Sequence, residues 1–207
     1  QQLGEEPYHV PELYPRTDAN RVAKWSNWAN AYWRFHRYEE ALACNERGLA
    51  IDPNYVTLLI NQGNILGSMG RAAMEAGREA EGRRQQEAAL ACYDKALEVT
   101  SPDDVVHRKT LHNMRGARLH QIGRYAEAEE AYIESLQFMP ESATTWFNRA
   151  GNSLSWGQAE ARAGRKEEAR RLFQAGLSHV EQAERYAPND RDAPELHAAL
   201  QQALGDL

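Results

Sequence analysis

No apolar run in this 207-residue chain approaches the roughly 20 residues a membrane-crossing helix needs, so no such helix is expected. Cysteine is almost missing. Cys44 and Cys92 each follow an Ala-Leu pair by two residues in comparable segments, and no C-x-x-C spacing exists, so both read as buried free thiols rather than a disulfide or metal ligands. Positive charge is also in deficit, with 24 Lys and Arg against 30 Asp and Glu and a net charge of -6. Acids interleave with the bases throughout, which argues against a nucleic-acid binder and slightly favours basic or neutral ligands. Catalytic signatures are lacking as well: there is no Gly-rich phosphate loop, no G-x-S-x-G and no H-E-x-x-H. His107, His112 and His120 lie five and eight residues apart without companions at metal-ligand spacing. The expectation is a chain that is no enzyme, with no catalytic residues, no metal and no cofactor. No secretory signal is visible either, which makes a cytoplasmic location the default.

A repeat fills the space these absences leave. Counting back from Pro140, Tyr132 lies eight residues earlier, Ala128 twelve, Gly123 seventeen and Gly116 twenty-four. Small Gly116 and Ala128 let two antiparallel helices approach, Tyr132 fills the space beside them, Gly123 suits a turn at positive φ, and Pro140 stops the second helix. This spacing resembles the tetratricopeptide (TPR) repeat, a helix-turn-helix unit of about 34 residues. The first unit carries Trp25, Trp28, Ala29 and Tyr32, then Tyr38, Ala41, Leu42 and Pro53, with His36 at the turn-glycine place and Asn45 at the usual aromatic place. Leu59, Gly63 and Leu66 open the second unit, and Trp146 opens the fourth.

The second unit has 14 residues too many between its halves, and self-comparison explains them. A shift of 87 residues places Gly70 on Gly157, Ala76-Gly77-Arg78 on Ala163-Gly164-Arg165, Tyr38 on Tyr125 and Pro53 on Pro140. The chain therefore reads as a tandem duplication of a module made of a short and a long hairpin. Seven residues added to each helix are almost two turns, so the buried face is kept while the hairpin grows by about 10 Å. Continuous helices are predicted near 55–76, 79–99, 142–163 and 166–187, although Gly70 and Gly157 inside them each cost up to about 1 kcal/mol relative to Ala.

The expected fold is all-α, a right-handed TPR-like superhelical solenoid of four hairpins plus a C-terminal capping helix. Residues 1–18, with Pro7, Pro11 and Pro15, read as an extended lead-in. The solenoid covers 19–207, with hairpins at about 19–53, 55–101, 104–140 and 142–188 and a cap helix at 192–205 that begins on Asp192 as N-cap.

In the TPR family the first helices line a concave groove, and the resemblance implies that residues just after the Trp-type position face inward. These include Asn27 and Asn30, then Ile60, Asn61 and Asn64, then Asn113 and Met114, then Phe147 and Asn148. Asn27, Asn61 and Asn148 match an asparagine ladder that holds extended peptides, while Met114 breaks it. A side-chain amide donates and accepts, as a neighbouring strand would; the plainer reading is that these amides bond locally. A carboxylate clamp is poorly matched, because Ser26, Thr110 and Met114 stand where cations are wanted. The implied function is a non-catalytic protein-protein interaction module, an adaptor or scaffold binding an extended peptide segment in its groove, with no nucleic-acid or membrane partner. Two other readings are a homo-oligomer assembled through the elongated hairpins and a regulatory domain of a larger protein.

Overall fold

A computed structural model describes residues 17–207, so the Pro-rich lead-in expected at 1–18 lies outside the described residues except for its last two. Helix α1 (Asp18–Arg34) starts where the Thr17 hydroxyl accepts the Asn20 amide at 3.3 Å, satisfying one of the first-turn donors. Eight more helices follow among the described residues: α2 (Tyr38–Leu49), α3 (Val56–Glu75), α4 (Glu79–Val99), α5 (Val105–Gln121), α6 (Tyr125–Phe138), α7 (Ala143–Arg162), α8 (Lys166–Tyr186) and α9 (Ala193–Gly205). No strand occurs among those residues. The closest packing joins α1 to α2, α3 to α4, α5 to α6 and α7 to α8, and each pair leans on the next.

Turn chemistry sets the hairpins. Gly77, Gly123 and Gly164 end α3, α5 and α7 at φ 75°, 79° and 78°, the left-handed region that glycine enters without a side-chain clash. The first hairpin makes the same turn with His36 at φ 57°, its Nδ1 lying 2.8 Å from the Tyr38 hydroxyl.

The second and fourth hairpins are long because both of their helices are long. α3 and α7 have 20 residues and α4 and α8 have 21, against 17 in α5 and 14 in α6. Gly70 and Gly157 sit inside α3 and α7, where close packing explains them. A Cβ at Gly70 would lie 2.9 Å from the Gly82 carbonyl oxygen of α4, and one at Gly157 would lie 2.4 Å from the Phe173 ring of α8. Their poor helix propensity is offset by helix approach.

Core contacts run continuously along the stack. Ile65 of α3 packs into the Ala29, Ala41 and Cys44 cluster of the first hairpin, and Leu90 of α4 joins Leu119, Ala128 and Tyr132 of the third. At the C-terminal end Ala193 and Leu200 of α9 close over Ala150, Phe173 and Val180. Asp192 holds the N-cap position of this helix as expected. Its side chain makes no capping bond, while the Asp190 carboxylate accepts the amides of Asp192 and Ala193 at 2.8 and 3.2 Å. Cys44 is buried and Cys92 only half-buried, both as free thiols, and burial pushes the Cys92 thiol up to about 11.

Candidate functional site

First helices pack on first helices within each module, α1 on α3 and α5 on α7, and side-chain bonds fix that contact. The Asn61 amide donates to the Ser26 hydroxyl at 3.1 Å, and the Asn148 amide donates to the Asn113 carbonyl oxygen at 3.1 Å. Each bond spans 35 residues, and the two are equivalent under the duplication. In the first module the Trp33 indole N–H also reaches the Ser68 hydroxyl at 2.9 Å, which makes Trp33 a packing residue. Asn64 accepts the Tyr93 hydroxyl at 2.8 Å. Four of the asparagines therefore have a structural bond, whereas the Asn27 and Asn30 side chains make none among the described residues.

The expected apolar residues sit at core edges. Ile60 and Met114 are partly buried against the cluster of Leu59, Tyr93, Ala96 and Leu111, and Phe147 packs against the cluster that holds the cap helix. The candidate residues fall into two groups, Asn27, Asn30, Ile60, Asn61 and Asn64 in the first module and Asn113, Met114, Phe147 and Asn148 in the second. Between the groups α3 and α5 pack less closely than α1 on α3 or α5 on α7.

Arg118, which the repeat pattern does not single out, spans that joint. Its guanidinium lies over Gly67 of α3, within 3.0 Å of where a Cβ there would stand. Gly67 shares a helical stripe with Ile60 and Asn64.

The histidines are taken up by packing. His112 stacks on Phe138 at 5.6 Å with Glu134 at 2.9 Å, His120 lies 3.2 Å from the Asn152 carbonyl oxygen, and His179 sits against Trp146 and 3.3 Å from the Ser153 hydroxyl. Burial lowers the pKa of all three, and for His179 burial and the Arg149 charge bring it down to about 4. The projecting hairpins carry ion pairs at i,i+3 spacing near the starts of their second helices, Arg78 with Glu81, Arg170 with Glu167 and Arg171 with Glu168. A cleft of about 370 Å³ lies where α7 projects past the recessed third turn, lined by Gly123, Tyr125, Trp156 and the ion-paired Arg124, Glu127 and Glu160. No helix among the described residues is long and apolar enough to cross a membrane.

Stacked antiparallel helix pairs with small residues at their crossings define an α-helical repeat solenoid. The fold is that of the tetratricopeptide-repeat proteins. Solved structures resemble it at low identity. They include a MamA RS-1 double mutant, 14% identical over 92% of this chain and 98% of that one with a TM-score of 0.55. Another is PilF of Pseudomonas aeruginosa, 16% identical over 90% of this chain and 78% of that one with a TM-score of 0.50. A TPR repeats protein of Bacteroides fragilis, 13% identical over 90% of this chain and 99% of that one, has a TM-score of 0.43. No family model matches the sequence, and no curated protein matches it.

Proposed function

We propose that the chain is a non-catalytic protein-interaction module that binds an extended segment of a partner along the inner face of its first helices. The supporting observation is the pair of equivalent amide bonds, Asn61 to Ser26 and Asn148 to Asn113. Each bond engages an Nδ2 and fixes the orientation of its amide, leaving Oδ1 to accept a peptide N–H. Asn27 and Asn30 supply unbonded amides at the first helix. A polar row held in register before the partner arrives loses little side-chain entropy on binding. An extended backbone presents alternating donors and acceptors to such a row, and Ile60, Met114 and Phe147 add apolar contact. In this reading the module acts as an adaptor or scaffold.

The test is affinity capture from the source lysate, with wild type beside Asn27→Ala/Asn30→Ala and Asn61→Ala/Asn148→Ala and captured proteins identified by mass spectrometry. The first double variant removes no internal bond, so it keeps the wild-type melting temperature and loses the partner. The second loses the partner and also melts earlier, because each lost bond costs about 1 kcal/mol. Equal capture by all three proteins sinks the groove reading.

A further inference from the structure

We propose that Arg118 is the specificity-determining residue of the groove, reading a carboxylate on an acidic residue of the bound segment as it crosses the joint between the two modules. This rests on the groove reading above and names the chemistry of the partner. The inner row of helices is closely packed within each module and looser between α3 and α5, and Arg118 reaches across that gap onto Gly67. Any side chain at position 67 would occupy the place of the guanidinium.

What surrounds Arg118 leaves its charge uncompensated. Among the described residues no carboxylate lies at ion-pair distance, and the groups that meet its guanidinium are neutral, the Gln121 side chain, which accepts from it at 2.9 Å, and the Tyr93 phenol. Its Nε is buried and has no hydrogen-bond acceptor. The Tyr93 phenol beside it stays neutral, since burial raises its pKa to about 12. By contrast Arg115, Arg124 and Arg149, on the same or adjoining helices, each have an acid partner within 3.2 Å.

A half-buried guanidinium without an anion is an electrostatic demand that a planar carboxylate meets, with paired hydrogen bonds. Asn64 stands one turn away on the same stripe of α3 and places that contact beside the peptide-binding amides. The net charge of -6 disfavours acidic ligands over the rest of the molecule, so an acidic residue is tolerated only opposite this cation. The preference is thereby confined to one position of the partner segment.

The probe is a displayed library of random peptides, each about a dozen residues long, selected on the intact chain. Wild type is expected to select segments with Asp or Glu at one fixed position. Replacing that residue by its amide should weaken binding about tenfold to wild type but less than about twofold to Arg118→Gln. Arg118→Lys should keep part of the preference. Gly67→Ala, which favours helix and displaces the guanidinium without changing charge, should weaken it while the chain stays folded by its melting curve. Peptides selected without a fixed acidic residue, or an acidic preference that survives in Arg118→Gln, overturn the role of Arg118 and leave the groove standing. Failure of wild type to select any peptide overturns the groove reading and this inference together.

Discussion

Asn45 shows how one residue alters a hairpin that otherwise follows its pattern. Its place in the second helix is filled by Tyr93 and Tyr132 in the next two hairpins, each buried against a glycine of the facing helix. Asn45 is wholly buried too, yet neither Nδ2 nor Oδ1 has a hydrogen-bond partner. An unmet buried amide costs about 1–3 kcal/mol, and leucine has the same branching and number of heavy atoms without that demand. Asn45→Leu is therefore expected to raise the melting temperature by several degrees, at about 2–4 °C per kcal/mol for a chain of this size. Calorimetry checks it, and a lower melting temperature overturns the assignment of that amide as unsatisfied. The departure at Asn45 is legible in the sequence as one residue out of pattern. Its unpaired state is not, because that depends on every neighbour across the hairpin. Arg118 was hidden for a related reason: its role depends on Gly67, a residue of another helix 51 positions away, and a long side chain crosses gaps that spacing within one repeat does not reveal.

At the scale of the helix, the long hairpins are a short hairpin with nearly two extra turns in each arm. Both ends of that relation are readable from the chain, since Gly70 and Gly77 lie seven apart and recur at Gly157 and Gly164. Deleting residues 71–84 sets Gly70 nine residues before Tyr93, the spacing that separates Gly123 from Tyr132. The shortened chain is expected to fold, with Gly70 moving from mid-helix into the left-handed turn. Some stability goes with the lost contacts of Met74 and Gly82, while Ile60, Asn61 and Asn64 keep their places. Circular dichroism and a cooperative melt check the prediction, and loss of cooperative unfolding overturns it. Solution mass measured on the same protein tests whether the projecting hairpins pair between copies, since such pairing disappears with them. What the repeat pattern did not disclose is why glycine persists at 70 and 157. The answer is the approach of α4 and α8, a contact between helices rather than a property of either.

Across the whole molecule the two modules share a backbone plan but not an ionisable core. The places of His112, His120 and His179 in the second module are held in the first by Trp25, Trp33 and Cys92, none of which gains a proton in mild acid. All three histidines have a lowered pKa, chiefly through burial, opposed at His112 by Glu134 and reinforced at His179 by Arg149. A histidine whose folded pKa is depressed binds more protons when unfolded, so its contribution is intact above about 6.5 and is lost as pH falls through the window to the folded value. For His179 that window runs from 6.5 down to about 4, a difference of about 3 kcal/mol when fully crossed. Because a solenoid's stability is nearly a sum over neighbouring units, this loss is local. Hydrogen exchange compared at about pH 7 and pH 5, corrected for intrinsic rates, should show α5 to α8 losing protection while α1 to α4 keep theirs. His179→Gln, which cannot be protonated, should remove the largest part of the difference. Equal loss in both halves would sink the assignment of the acid sensitivity to the buried histidines, since Glu40 and Glu127, one in each module, are held below the usual carboxylate range by bonds to arginine and stay ionised at pH 5.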